Sequence, residues 1–181
     1  MLKTFLTIGL LAGVVSIASV AYAQALPTAV AKLNIQAGGG YSVAAPDYGQ
    51  RYIQGGSGFV DFDFRPHFGV EADIHYIALI TPGDLAENTF LFGPRYVYPR
   101  GRFSFYAKGL LGFGDLVIQE VQDHPEGGAG RYFAYAVGGG VDIRATKHIA
   151  VRAADFEYQH WSFYNGLTPL VFTVGAAYRF R

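Results

Sequence analysis

The chain is 181 residues long, and its 14 Lys and Arg side chains balance 14 Asp and Glu side chains. This neutrality gives no electrostatic support for a nucleic-acid partner, because binding a phosphate backbone relies on an excess of positive charge. The sequence contains no Cys, which excludes a disulfide framework and thiolate metal sites. With 24 Gly, 13 Tyr and 15 Phe, the composition is unusual for a soluble domain.

Residues 1–23 have the three parts of a secretory signal: a basic start at Lys3, an apolar run over 5–15, and a small-x-small cleavage site ending at Ala23. The alternative, a transmembrane anchor, is disfavoured because a spanning helix needs about 20 apolar residues. No Cys follows the run, so a lipid-anchored mature N-terminus is excluded. We expect an exported domain over 24–181, with 13 basic and 14 acidic side chains once Lys3 is removed.

Beyond the signal, eight segments alternate apolar and other residues with a period of two, and no apolar run is long enough for a membrane helix. Each segment has about the 9–11 residues that a tilted membrane strand requires, or somewhat more. The segments cover residues 32–42, 52–64, 68–80, 87–98, 102–118, 131–144, 148–161 and 168–180.

The links between these segments alternate strictly between short and long. The short ones are at 65–67, 99–101 and 145–147, and the long ones are at 43–51, 81–86, 119–130 and 162–167. This asymmetry is typical of outer-membrane barrels, which have short periplasmic turns and longer extracellular loops. The pattern therefore predicts an all-β fold: an eight-stranded antiparallel transmembrane β-barrel of up-and-down topology, in the outer membrane of a Gram-negative-type cell.

Charged residues indicate which face of each strand meets lipid. An Arg or Lys on the lipid face costs roughly 2–4 kcal/mol at the bilayer midplane, so charges opposite the apolar face are expected to point into the lumen. The predicted polar network of the lumen consists of Glu71, Asp73, His75, Arg95, Lys108, Asp142, Glu157 and Arg179. Side chains fill an eight-stranded barrel, which favours a salt-bridged plug that maintains the fold over the alternative of a gated ion path.

Two residues fit this alternation less well. Pro94 lies on the apolar face in mid-strand and cannot donate to a ladder, which predicts a bulge or an early strand end. Arg152 shares its parity with the apolar Phe156 and Tyr158. It is therefore expected near the periplasmic rim or beside a bulge.

The last two strands carry the most specific features: Phe156-Glu157-Tyr158-Gln159 followed by Trp161, and the closing run Gly175-Ala176-Ala177-Tyr178-Arg179-Phe180. On these residues the chain resembles the small outer membrane β-barrel superfamily, which includes outer membrane protein A-like and X-like, porin-like barrels. The resemblance covers essentially all of the mature chain. It implies that Tyr178 and Phe180 form the signal read by the barrel-assembly machinery, although Phe180 is penultimate here.

Two clusters have residue types that bind metals. Glu71, Asp73 and His75 share one face of a strand. The other cluster, in the third long link, is Asp123, His124 and Glu126. A lone histidine beside carboxylates is more often a hydrogen-bond partner, and polar loop residues are more often solvated. We therefore expect neither a metal nor a cofactor.

Some outer-membrane barrels deacylate lipid A with a His and a Ser two residues apart, and His160 and Ser162 have that spacing. The Asn that normally follows the Ser is replaced by Phe163, and no acidic partner is evident nearby. The alternative places the aromatic residues of this segment in the interfacial girdle. They are Tyr158, Trp161, Phe163 and Tyr164.

The expected role is structural or a surface-loop interaction, with at most a narrow, low-conductance pore and no catalysis. Two alternatives stay open: a lipid A-modifying hydrolase using His160 and Ser162, and a soluble periplasmic β-barrel that binds an apolar ligand. The expected partners are outer membrane lipids and, during biogenesis, the barrel-assembly machinery. A surface ligand is possible but unidentified.

Overall fold

The computed structural model describes residues 33–46, 52–77, 85–118, 128–162 and 166–180. The strands in chain order are β1 (Asn34–Ala45), β2 (Ile53–Asp63), β3 (Phe68–Ile77), β4 (Leu85–Arg100), β5 (Phe103–Ile118), β6 (Gly128–Arg144), β7 (Ile149–Trp161) and β8 (Leu170–Phe180). Among these described residues there is no helix with the length and apolar character needed to cross a membrane. The eight predicted segments correspond to the eight strands one to one, and their ends agree within three residues. Residues 78–80, predicted to extend the third strand, lie outside the described residues.

The strands form a closed barrel in which each pairs with the next and β8 returns to β1. All eight pairings are antiparallel, as alternating up and down strands require. The closing register runs from Ile35 opposite Phe180 to Ala45 opposite Leu170. The predicted up-and-down barrel is confirmed.

Alternate residues of each strand face opposite sides of the wall, because successive strand side chains point in opposite directions. In β3, Ile74 and Tyr76 are 37% and 43% exposed, whereas His75 between them is 1% exposed. The outer surface is a continuous apolar and aromatic belt, and the charges of the strand centres are buried in the lumen. A soluble barrel would have the reverse arrangement, so the alternative of a soluble barrel around an apolar ligand is wrong.

The two ends of the barrel differ. Short turns at 64–67, 101–102 and 145–148 lie at the end where β1 begins and β8 finishes, which we call the periplasmic end. Gly101 takes a positive φ of 64° in the tightest of these turns, a conformation that glycine adopts without steric cost. The four longer links lie at the opposite, extracellular end, and most of their residues are outside the described part.

The bulge or early end expected at Pro94 is wrong. β4 continues to Arg100, and its register with β5 is the same on both sides of Pro94. Only Gly93 and Pro94 are left out of the ladder with β5, while Pro94 still lies opposite Val70 of β3. The missing N–H of proline therefore interrupts pairing locally without shifting the strand.

Of the two positions expected for Arg152, near the periplasmic rim or beside a bulge, the structure shows the bulge, in β7. Asp142 lies opposite Arg152 and Val141 lies opposite Ala154, so Ala153 is the extra residue on β7. A one-residue insertion reverses the facing of every residue beyond it. Arg152 consequently points into the lumen, where it is 1% exposed, although it has the same parity as the lipid-facing Phe156.

Gly38 of β1 faces the lumen and, because it has no side chain, leaves space there. A Cβ at this position would collide with the Phe59 ring and with the Ala176 carbonyl of the neighbouring strand. Phe59 is itself buried, with 4% of its surface exposed. The glycine therefore makes room for an aromatic ring that would otherwise not fit in so narrow a barrel.

Candidate functional site

The lumen has two chemically distinct levels. Nearer the periplasmic end is the charge layer, which consists of Asp61, Glu71, Asp73, His75, Arg95, Lys108, Asp142, Arg152, Asp155 and Glu157. Above it, toward the extracellular ends of the strands, is the apolar layer, which consists of Ala44, Ile53, Ile77, Leu91, Leu110, Leu116, Ala134, Ala136, Trp161 and Val171. The buried polar side chains of Glu87, Thr89 and Gln159 lie among these residues at the same height. Every member of both layers is at most 5% exposed.

Lys108 lies at the centre of four carboxylates. Its Nζ donates to Glu71 Oε1 at 2.8 Å, Asp73 Oδ2 at 3.0 Å and Asp155 Oδ2 at 2.8 Å, and lies 2.6 Å from Glu157 Oε1. These carboxylates come from β3 and β7, whereas Lys108 is on β5. The ammonium therefore joins three strands that are not adjacent in the wall.

Arg152 uses its whole guanidinium in the same way. Its Nη2 donates to Asp61 at 2.8 Å, its Nη1 to Glu71 at 3.0 Å and to Asp155 at 3.2 Å, and its Nε to Asp142 at 3.1 Å. The planar fork of Arg suits such divided contacts better than the point charge of Lys. Arg152 thus links β2, β3 and β6 to the bulge of β7.

Arg95 completes the set of permanent cations. Its Nη2 donates to Asp142 at 2.7 Å, and its Nη1 pairs with Asp61 and, at 3.5 Å, with Glu71. The guanidinium also lies 4.2 Å from the centre of the Tyr106 ring. A second aromatic contact in the layer places the Arg152 guanidinium 3.5 Å from the Phe59 ring centre. These rings add a cation–π attraction to the ion pairs of the buried guanidinium groups.

Carboxylates outnumber cations in the charge layer. Six acidic side chains face three permanent cations, and His75 adds a fourth positive charge when protonated. The Nε2 atom of His75 lies 3.5 Å from Asp73 Oδ1 and 3.4 Å from Glu157 Oε1, which favours that state. Because a buried charge without a partner is costly, each cation here is needed by more than one carboxylate.

Asp73, His75 and Glu157 also place possible metal-ligand atoms within 4.8 Å of one another. However, Glu157 Oε1, the atom nearest to His75, is already 2.6 Å from Lys108 Nζ. An ammonium that contacts four carboxylates supplies the positive charge that a metal would bring, so we assign this group to the ion-pair network. The other predicted cluster, at residues 123, 124 and 126, lies outside the described residues.

Trp161 dominates the apolar layer. It is 1% exposed, packs with Leu91, Leu110 and other members of the layer, and its Nε1 donates to Gln159 Oε1 at 3.1 Å. Its expected place in the lipid-facing girdle is wrong, because Trp161 has the inward parity of Glu157 and Gln159. Tyr158 does face outward, with 41% of its surface exposed, and residues 163 and 164 lie outside the described part.

The remaining predicted site residues lie at the periplasmic rim. Arg179 is half-buried, and its Nη2 donates to Asn34 Oδ1 at 2.9 Å, away from the charge layer. Tyr178 and Phe180 are about half exposed on the lipid side, at 52% and 49%, and their rings meet edge to face 5.1 Å apart. These positions leave both aromatic rings accessible from outside the barrel.

Three members of the charge layer were absent from the predicted network. Asp61 alternates with the apolar Val60 and Phe62, and Asp155 has the parity of Glu157, so the period-two pattern alone contains the signal for both. Arg152 has the lipid-facing parity, and only the bulge at Ala153 brings it inside. The one sign of its inward position in the sequence was a charged residue among alternate residues that are otherwise apolar.

Between the charge layer and the periplasmic end is a cavity of about 30 Å³, lined by residues that include Gln36, Arg95, Asp142 and Arg179. A water molecule needs roughly 10–15 Å³ of such space, so the cavity accommodates one or two waters. The cavity therefore has room for water against the lower surface of the charge layer, while the buried side chains above it fill the lumen.

His160 and Ser162 make separate contacts in this arrangement. The His160 ring packs on Tyr135, with ring centres 5.0 Å apart, and a Cβ at Gly166 would touch it. The Ser162 backbone N–H donates to the Phe133 carbonyl at 2.8 Å. Within the described residues, His160 and Ser162 share no hydrogen bond, which a Ser nucleophile needs for activation.

Comparison with solved structures finds small outer-membrane barrels. The Ail protein of Yersinia pestis, described as the attachment invasion locus protein, has 16% identity and a TM-score of 0.60, over 82% of this chain and 99% of that one. Neisserial surface protein A has 12% identity and a TM-score of 0.57, over 81% and 95%. The N-terminal β-barrel domain of Pseudomonas aeruginosa OprF has 10% identity and a TM-score of 0.56, over 81% and 97%.

At these identities the likeness shows the fold alone. A comparison with curated protein sequences gave no match. The profile of the outer membrane protein beta-barrel domain matches residues 9–180, which is nearly the whole chain. Together with the lipid-facing apolar belt, this match places the protein in the outer membrane. The chain belongs to the outer membrane protein beta-barrel domain family.

Proposed function

We propose that this protein is a surface-display scaffold: a barrel with a closed lumen that holds its extracellular links in place for contact with molecules outside the cell. The observation that carries the proposal is the filling of the lumen. Two successive layers of side chains, each at most 5% exposed, occupy its cross-section. A protein that passes solutes would need an open path between these side chains.

The two layers oppose ion passage for different reasons. A cation or anion entering the charge layer must displace an ion pair such as Lys108–Glu71, whose atoms are 2.8 Å apart. Beyond that layer it meets the packed side chains of Trp161, Leu91 and Leu110, which cannot replace its hydration shell. A narrow, low-conductance path would require both layers to rearrange together.

The names of two structural relatives support a role at the cell surface. Ail is an attachment invasion locus protein, and the neisserial relative is a surface protein. In barrels of this kind, variable loops on a rigid scaffold carry the function. The extracellular links of this chain, at 46–52, 78–84, 119–127 and 162–169, contain five acidic residues and one basic residue, so their ligand is expected to be cationic.

The residues of the charge layer serve the fold in this proposal, and none of them acts as a catalyst. Tyr178 and Phe180 act during biogenesis, as the aromatic signal for the barrel-assembly machinery. Residues 1–23, which lie outside the described part, direct export and are cleaved before assembly.

Surface display is tested with single cysteines, because the natural sequence has none. Asp123→Cys tests the longest extracellular link, and Lys147→Cys tests a short turn. Intact cells are treated with a membrane-impermeant maleimide, and labelling is read by gel mobility. We expect Asp123→Cys to react in intact cells and Lys147→Cys to react only after the outer membrane is permeabilised.

The cysteine-free protein is the control for background labelling. Heated and unheated samples in detergent verify that each variant forms a compact barrel. Labelling of Lys147→Cys but not of Asp123→Cys in intact cells would mean that the long links face the periplasm, and the proposed display role would be abandoned.

A further inference from the structure

The three periplasmic turns carry only positive charge. Their basic residues, together with those at the adjoining strand ends, are Arg65, Arg100, Arg102, Arg144 and Lys147, which we call the basic rim. All five side chains are exposed. No acidic residue occurs in 64–67, 99–102 or 144–148. The overall neutrality of the chain therefore conceals a strongly basic end.

The basic rim has no ion-pair partner within the part of the chain that the structure describes. The other described cations differ: Arg95, Lys108 and Arg152 are paired inside the lumen, and Arg131 is paired with Asp115 at 2.7 Å. Arg179 is half-buried and donates to Asn34 at 2.9 Å. The two acids nearest along the chain, Asp63 and Asp142, have other partners: Asp63 accepts a hydrogen bond from Asn34 at 2.9 Å, and Asp142 is paired with buried cations of the charge layer. The donors of the rim are thus free for a ligand.

The basic rim lies next to the edge of the apolar belt. Phe64 precedes Arg65 directly, and Phe103 follows Arg102 directly; the two rings are 41% and 47% exposed. A strand rises about 3.3 Å per residue, so a cation one or two residues beyond the belt lies in the headgroup layer, which is several ångströms deep. Long Arg and Lys side chains readily extend from the belt edge to that level.

Two histidines mark the same depth. His67 stacks on Tyr96 with ring centres 5.8 Å apart, and His148 stacks on Tyr178 at 5.7 Å. Both tyrosines are exposed on the lipid side, at 45% and 52%. Aromatic rings of this type occupy the membrane–water interface, which fixes the turns at headgroup height.

We propose that the basic rim binds the phosphate headgroups of anionic phospholipids in the periplasmic leaflet of the outer membrane. A guanidinium offers two parallel donors that match phosphate oxygens, and four of the five rim residues are Arg. A ring of such sites around one end of the barrel holds it at a defined depth. The opposite end, with its acidic links, is repelled by the same lipids. Because the basic rim lies at the height of the lipid headgroups, lipid is a better-placed ligand than a cell-wall polymer, which would lie beyond the headgroups.

The test measures lipid selectivity with the barrel in bilayer nanodiscs. Spin-labelled phosphatidylglycerol and phosphatidylcholine report the fraction of each lipid held at the protein surface. The chain is compared with the variant R65Q/R100Q/R102Q/R144Q/K147Q. We expect a phosphatidylglycerol preference of about threefold, because one basic residue near an anionic surface favours it about fivefold and only one leaflet is in contact. The preference should fall to near one in the variant.

The matched control R65K/R100K/R102K/R144K keeps every charge and should keep most of the preference. A second control, R131Q, removes a cation from the extracellular end and should leave the preference unchanged. Molar NaCl should abolish the preference of the unaltered chain, which tests the proposal without any substitution.

Two results would overturn the proposal. One is equal affinity of the unaltered chain for both lipids. The other is a preference that survives neutralisation of the rim. If the unaltered chain shows no lipid preference but sediments with purified peptidoglycan, the rim binds the cell wall instead, and the lipid assignment is wrong.

Discussion

The charge layer and the apolar layer fill the same narrow lumen but depend on different properties of their residues. In the charge layer, four carboxylates surround Lys108 at 2.6–3.0 Å, so each position depends on the charge of its partners. In the apolar layer, Trp161 packs among Leu and Ala side chains, so each position depends on shape. Substitutions that change charge and substitutions that change volume should therefore affect the two layers selectively.

This difference extends to how the layers close the barrel. The charge layer connects strands across the lumen through long side chains. Because carboxylates outnumber cations, each cation pairs with several carboxylates. The apolar layer relies on one large ring, Trp161, which packs against Leu and Ala side chains and against Gly114. The stability of the charge layer is therefore sensitive to the loss of one cation, and the packing of the apolar layer is sensitive to the addition of one methyl group.

The largest effect is expected from Arg152→Ala. Its loss leaves Asp61, Asp142 and Asp155 with fewer partners in a layer that already has too few cations. Removing one partner of a buried ion pair typically costs about 3–5 kcal/mol of unfolding free energy. Equilibrium unfolding in urea, with the barrel in lipid vesicles and Trp161 fluorescence as the signal, measures the loss.

Arg152→Lys is the control for charge, and it should recover part of the lost stability because an ammonium keeps the charge but not the fork. An unchanged urea midpoint for Arg152→Ala would contradict the ion-pair account of the charge layer.

An intermediate effect is expected from Gly114→Ala in the apolar layer. A Cβ at Gly114 would lie 2.7 Å from three ring atoms of Trp161, which is too close for packing without movement. Overpacking of this kind typically costs about 1–3 kcal/mol. Gly109→Ala on the same strand is the matched control, because a Cβ there would have nothing within 4 Å.

Urea unfolding of both glycine variants measures this difference directly. Equal stability of the two would mean that Trp161 is loosely held and that shape does not control the apolar layer.

The smallest effect is expected from Glu71→Gln. Glu71 contacts all three permanent cations, but each of them keeps at least two other carboxylates. The loss should therefore be about 1–2 kcal/mol, the value of a charge-assisted hydrogen bond weakened to a neutral one. The same urea titration measures this loss of unfolding free energy. A loss larger than that of Arg152→Ala would show that the charge layer is short of carboxylates and not of cations.

The period-two pattern predicted the barrel well because one rule, apolar side chains toward lipid, applies to every strand. It predicted that Glu71, Asp73 and Lys108 face inward for the same reason. It missed the inward direction of Arg152, because a bulge at Ala153 changes the parity without any change in local composition. It placed Trp161 in the girdle because an apolar residue suits lipid and the apolar layer equally well.

Contacts between strands were beyond the reach of the pattern. Parity shows that Lys108 and Glu157 face the lumen, but not that they lie 2.6 Å apart, since this depends on the register and tilt of strands that are not neighbours in sequence. The break expected at Pro94 was wrong for a related reason: pairing with β3 on the other side of the strand holds it in place.

The closed lumen is tested most directly by ionic current through the unaltered barrel. Purified protein, shown to be folded by its heat-dependent gel mobility, is inserted into a planar lipid bilayer under applied voltage. We predict no resolvable current steps, because the buried side chains of the charge layer and the apolar layer fill the lumen. Steady, reproducible steps from the unaltered chain would mean that the lumen is open, and would contradict the account.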